Sequence, residues 1–89
     1  MQKQTATLVN KLGLHARAAA CFVKTASNYP CEISVRHGEK TVSGKSIMQM
    51  MMLAAARGTT LEITADGPRE EEALKELACL IRNRFGEPE

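Results

Sequence analysis

The stretch Gly13-Leu14-His15-Ala16-Arg17 places an imidazole and a guanidinium at the entrance of a helical pattern. A β-like run ends at Asn10, and Gly13 relaxes the turn that follows. From Ala16 onward, Ala19, Phe22, Val23 and Ala26 recur with the i, i+3, i+4, i+7 spacing of one apolar helix face. The alanine run Ala18-Ala19-Ala20 adds helix propensity. The first turn of such a helix presents N–H groups without intrahelical partners, and the macrodipole adds partial positive charge, so the terminus attracts phosphate. Arg17 adds a permanent cation whose fork of donors suits phosphate oxygens. Cationic surroundings favour a neutral imidazole, and neutral imidazole is the nucleophilic form. The chemistry these residues suit is a histidine that accepts a phosphoryl group and holds it. On this stretch alone the plain alternative, a histidine that caps a helix or sits in solvent, stays open.

A second constellation is Gly44-Lys45-Ser46 and the apolar run Ile47 to Ala56 behind it. A phosphate-binding P-loop needs four residues between its first glycine and Gly-Lys-Ser. Glu39 occupies that first position and Gly38 comes one residue too early, so no nucleotide site is read here. Ser46 instead suits the N-cap of a short helix. That helix carries Ile47, Met48, Met50, Met51, Met52 and Leu53, apolar nearly all round. At 3.6 residues per turn, Met50 and Leu53 share one side, while Ile47, Met48 and Met51 group on another. A two-layer domain buries one of these sides. The other is expected to dock partners, with methionine's flexibility letting several share it. A phosphate on Ser46 meets the helix's own positive end and leaves the fold intact, while setting about two negative charges beside Ile47, Met48 and Met51.

The elements that position these groups follow from alternation and breakers. Gln2 to Val9 reads as a strand, with Ala6 and Leu8 on one face and Thr5, Thr7 and Val9 on the other. The first helix runs from about Ala16 to Ser27 and stops before Asn28-Tyr29-Pro30. Cys31 to His37 is a strand with Cys31, Ile33 and Val35 inward. A turn at His37-Gly38-Glu39 leads to a short strand, Lys40 to Ser43, with Val42 inward. The Ser46-capped helix is expected to be solid to about Leu53. Thr59 to Ala65 is the fourth strand, with Leu61, Ile63 and Ala65 inward. Asp66-Gly67-Pro68 is a turn, and Pro68 suits the first position of a third helix. Glu70, Glu71 and Glu72 complement that helix's dipole. Ala73, Leu74, Leu77, Leu80 and Ile81 form its buried stripe, and Gly86 and Pro88 close it. The order is β-α-β-β-α-β-α. Strands that alternate leave one sheet face wet, so helices must cover the other. The expected fold is an α+β open-faced two-layer sandwich with a four-stranded, largely antiparallel sheet covered on one face by three helices.

Composition excludes several classes. The 89 residues suit one domain spanning 1–89 with one core. Aromatics are 3% and Trp is absent, which leaves no base-stacking platform, and a net charge of +2 is too weak for an electrostatic nucleic-acid binder. Cys21, Cys31 and Cys79 have no CxxC spacing and read as small buried or half-buried thiols in a reducing compartment. With no long apolar run at the N-terminus, neither a signal peptide nor membrane insertion is expected, and the cytoplasm is the default location. His15, His37 and the cysteines lack paired ligand spacing, so no metal site is read. A thiol enzyme pairing Cys21 with His15 is also poorly served. Six residues along a helix is about 9 Å, beyond hydrogen-bond reach.

With both constellations in hand, the chain resembles the HPr family, the histidine-containing phosphocarriers of the bacterial phosphoenolpyruvate-dependent phosphotransferase system. The resemblance rests on Gly13-Leu14-His15-Ala16-Arg17, on Gly44-Lys45-Ser46-Ile47-Met48 and on the element order between them. It implies that Enzyme I passes a phosphoryl group to Nδ1 of His15, that Arg17 helps hold it, and that it moves on to a histidine of an Enzyme IIA-type acceptor. It also implies that Ser46 matches the serine modified by HPr kinase/phosphorylase, and that Ile47, Met48 and Met51 belong to a shared docking surface. The protein would be a monomeric stoichiometric carrier with no cofactor, not an enzyme with a substrate pocket. The family usually has Pro after the arginine, where this chain has Ala18. Alanine keeps helix propensity but gives up proline's restraint on the first turn. A regulatory phospho-signalling module of an incomplete or nitrogen-type branch, with no sugar transported, stands beside the sugar-uptake reading. The wet sheet face, the C-terminal tail and the exposed face of the third helix carry no readable signal.

Overall fold

A computed structural model describes residues 1–88. The elements are β1 (Gln2–Thr7), α1 (Ala16–Ala26), β2 (Glu32–His37), β3 (Lys40–Ser43), α2 (Ile47–Met52), β4 (Thr60–Asp66) and α3 (Glu70–Arg82), followed by a single 3-10 turn at Arg84–Gly86. The strands form one four-stranded sheet in the order β1-β4-β2-β3. Every pairing is antiparallel. The order places β4 centrally, and Ile63 is opposite both Gln4 of β1 and Val35 of β2. The β-α-β-β-α-β-α order and the open-faced α+β sandwich are as expected from the sequence.

Alternation decides which sheet face is covered. Leu61, Ile63 and Ala65 are fully buried, and Cys31, Ile33 and Val35 nearly so. Against them lie Ala18, Ala19, Phe22 and Ala26 of α1 and Ala73, Leu74, Leu77 and Ile81 of α3. Full burial of a side chain such as Phe22 or Leu77 is worth roughly 1.5–3 kcal/mol. These residues form a single aliphatic cluster with Phe22, Tyr29 and Phe85 as its aromatic members. The fit is tight at Gly44, where an added Cβ would lie 2.6 Å from Ile33 and 3.1 Å from Phe22.

Several local expectations need correction. β1 stops at Thr7, yet Leu8 is buried because its backbone still pairs with the segment before β4, through Leu8 N to Thr59 O at 2.9 Å and Gly58 N to Leu8 O at 2.8 Å. Pro68 is not the first residue of α3. The N-cap is Arg69 in the left-handed conformation (φ 61°, ψ 28°), so the helix starts only at Glu70. The Glu70 carboxylate then turns back to accept from Gly67 N at 3.0 Å. In α3 Leu80 is only half-buried, packed against the edge of the core, while Ala78 is buried, because the stripe centres on Ala73, Leu77 and Ile81. Cys79 is exposed rather than buried, while Cys31 is buried and Cys21 half-buried. No helix among the described residues is long and apolar enough to cross a membrane.

Candidate functional site

The turn from Asn10 to Gly13 builds the site. Gly13 N donates to Asn10 O at 3.2 Å, and Gly13 has φ +65°. A Cβ there would lie 2.6 Å from Ala55 O, so both the dihedral and the close approach require glycine. Leu14 N then donates to that same carbonyl at 2.9 Å, tying the turn to the segment that follows α2.

His15 is the N-cap of α1, with an extended backbone (φ −83°, ψ −178°), and its side chain makes no capping bond. Its carbonyl accepts the first helical bond, from Ala19 N at 2.8 Å. The N–H groups of Ala16, Arg17 and Ala18 precede that bond and are the helix's unspent donors. Ala18 contributes one of them, which proline could not. The His15 imidazole is 27% exposed, so it is open to a partner without being loose in solvent.

The sequence placed His15 among cations alone. The structure adds an anion. Nε2 of His15 meets Oε2 of Glu87 at 2.5 Å. The other carboxylate oxygen accepts from Asn10 Nδ2 at 2.9 Å, and the same Nδ2 donates to Gly13 O at 2.7 Å. Both partners of Nδ2 are acceptors, which fixes the orientation of the Asn10 amide. The Asn10 side chain is fully buried, and its Oδ1 has no hydrogen-bond partner among the described residues. Burial is the largest single influence on the Glu87 carboxyl and works against its ionisation. Hydrogen bonds from Asn10 and His15, with the charges of His15 and Arg17, outweigh it and hold the group below the usual carboxylate range.

Arg17 is exposed and lines a groove of about 420 Å³ with Lys11, Leu12, Glu87 and Pro88. Among the described residues it has no ion-pair partner, so its guanidinium is available to an incoming anion. His15, Arg17 and the Glu87 carboxylate thus lie together at one helix entrance.

The second constellation is placed as its pattern required. Ser46 is the N-cap of α2, and its Oγ accepts from Gln49 N at 3.3 Å. Gln49 reaches back in turn to accept from Ser43 N at 2.9 Å. Met50 and Leu53 are buried, while Ile47 (42%), Met48 (79%), Met51 (44%) and Met52 (66%) are exposed. No hydrogen bond links Ser46 to His15 among the described residues. The elements that carry the two sites are joined by the packing of α2 on α1 and by the Leu14–Ala55 tie.

Sequence reasoning missed Asn10 as a site residue and Glu87 altogether. Asn10 reads as the end of a strand. Glu87 lies in a tail with no periodicity, and Phe85 is the one signal near it. Phe85 is an aromatic in a polar segment, and it proves 5% exposed and anchors the tail.

A family model described as "PTS HPr component phosphorylation site" matches residues 2–83. A phosphocarrier protein HPr from Pseudomonas aeruginosa is 57% identical over 84 residues, covering 93% of each chain. The crystal structure of HPr-C-His from Thermoanaerobacter tengcongensis superposes with a TM-score of 0.95 at 45% identity, covering both chains fully. A phosphocarrier protein NPr from Klebsiella oxytoca is 41% identical over 86 residues, 96% of each chain. The fold and the matched span are those of a small phosphocarrier. The chain belongs to the HPr family of the phosphotransferase system.

Proposed function

We propose that His15 is the phosphoryl acceptor, that the donor is phospho-Enzyme I, and that the onward acceptor is a histidine of an Enzyme IIA-type protein. The observation that carries this reading is the partly exposed imidazole at the N-cap of α1, with unspent N–H groups there and Arg17, which has no ion-pair partner among the described residues, at the same helix entrance. Phosphoryl transfer between two imidazoles needs in-line placement and neutralisation of the moving charge more than acid–base work. Arg17 and the helix terminus supply the neutralisation. The exposed Ile47, Met48 and Met51 supply a docking surface that aligns the partner, and the domain works as a monomer in the cytoplasm. Ser46 is the regulatory site, modified by HPr kinase/phosphorylase. A phosphate there leaves the α2 cap in place and puts negative charge at the edge of the docking patch. A relative named NPr at 41% identity supports the nitrogen-type signalling reading as the second one beside sugar uptake.

The test is incubation with phosphoenolpyruvate and purified Enzyme I, followed by intact mass. The reading predicts a gain of one phosphate that is acid-labile, alkali-stable and absent in His15→Ala. A wild-type chain that stays unmodified with several Enzyme I sources contradicts it.

A further inference from the structure

We infer that Glu87 is a positioning residue for phosphoryl transfer at His15: its carboxylate keeps the ring proton on Nε2, leaves Nδ1 bare, and balances the charge that builds on the ring. The inference deepens the proposed function and rests on His15 being the acceptor.

The geometry argues it in three steps. An ionised carboxylate can only accept hydrogen bonds, so at 2.5 Å from Oε2 the Nε2 atom carries the hydrogen. A neutral ring with its proton on Nε2 has its lone pair on Nδ1. Among the described residues no hydrogen-bond partner reaches Nδ1, so that lone pair is free to attack.

The carboxylate is also held in place. Its side chain is 11% exposed, and its second oxygen is bound by the fully buried Asn10. Asn10 is bonded in turn to Gly13 O, in the turn that presents His15. Acceptor ring and carboxylate are therefore fixed to one frame, and the ring's rotation is set by the contact as well as its tautomer.

The chemical step then balances without a proton leaving the site. The Nδ1 lone pair forms a bond to phosphorus, the phosphorus–nitrogen bond of the donor histidine breaks, and its electron pair returns to the donor ring. The His15 ring gains positive character while its Nε2 proton stays against Glu87. The carboxylate neutralises that charge from one edge as Arg17 faces the phosphoryl oxygens. This division of labour resembles an aspartate orienting a histidine in a hydrolase triad. Among the described residues the charged groups facing the ring and groove are Glu87, Arg17 and Lys11.

A carboxylate that merely staples the tail to the body would leave the same contacts, so the test separates charge from attachment. Glu87→Gln keeps the size and can still hydrogen-bond. Two-bond proton–nitrogen spectra of 15N-histidine protein in mildly alkaline buffer assign the tautomer. Single-turnover charging by phospho-Enzyme I gives the maximal rate and the half-saturating concentration. The wild type is expected to show His15 with its proton on Nε2. Glu87→Gln is expected to bring in the Nδ1–H form and to lower the maximal rate on the order of fivefold to tenfold, with half-saturation unchanged, as suits loss of one charge-assisted hydrogen bond. An unchanged tautomer and rate overturn the inference. So does a change confined to half-saturation, which makes the tail a docking element. If the wild type takes no phosphoryl group at all, the proposed function fails, yet the tautomer spectra still decide whether Glu87 places the proton.

Discussion

Asn10 and Glu87, separated by 77 positions in the chain, meet through a 2.9 Å hydrogen bond that closes the C-terminal tail over the start of α1. Asn10 is the hinge pin of this arrangement, because the same Nδ2 also holds Gly13 O. Asn10→Ala takes one Glu87 oxygen's donor away and leaves the Gly13 carbonyl with His15 N alone, at 3.0 Å. The expected cost is about 1–3 kcal/mol, read as a lower denaturant midpoint with an unchanged slope. Asn10→Asp is expected to cost more, since it sets a second carboxylate against Glu87.

The tail contact has a definite pH dependence. The Glu87 carboxyl is held below its ordinary value in the folded chain, so on acidification the unfolded chain takes up this proton first. The stabilisation is complete above the ordinary glutamate range and is lost as pH falls through the folded value. Denaturant midpoints of the wild type are therefore expected to drop between neutral pH and about pH 3 more steeply than those of Glu87→Gln. Parallel pH profiles would show that the tail carries no such linkage.

Gly13→Ala tests the frame that presents His15. The new Cβ would lie 2.6 Å from Ala55 O at a backbone φ of +65°, so both clash and strain act. The expected loss is about 1–3 kcal/mol by thermal or chemical unfolding. The accompanying shift of the Leu14–Ala55 bond is expected to slow charging of His15 even in conditions where the variant is fully folded.

On α2 the cap and the patch separate. Ser46→Ala removes the bond to Gln49 N and is expected to cost about 1 kcal/mol, with charging by Enzyme I little changed. Ser46→Asp keeps an acceptor at the cap, so its stability should stay near wild type. Its added charge is expected to lower the rate of charging by roughly tenfold through the docking patch. Met48→Asp, at a side chain 79% exposed, should likewise spare stability and weaken Enzyme I binding, as measured by titration calorimetry.

Legibility in the sequence tracked how local each determinant was. Leu61, Ile63 and Ala65 alternate, and all three are buried as alternation required. Met50 and Leu53 are inside and Ile47, Met48 and Met51 outside, as helical geometry required. Ser46 caps α2 as its type suggested. Pro68 misled because a good first-turn residue says nothing about the left-handed Arg69 that follows it. Leu80 misled because helix periodicity defines a stripe more sharply than its flanks. Glu87 was illegible for a different reason. Its role depends on a contact with His15 across 72 positions, and nothing in Phe85-Gly86-Glu87-Pro88 encodes where the tail lands. The half of the site built by α1 was therefore readable, and the half supplied by the tail was not.

The most direct measurement is nitrogen and phosphorus NMR of the 15N-histidine chain charged by phosphoenolpyruvate and Enzyme I. The account predicts a single phosphohistidine at His15, with the 31P–15N coupling to Nδ1 and the hydrogen on Nε2 against Glu87. Phosphorus on Nε2 of His15, or on His37 in the β2–β3 hairpin, would contradict it.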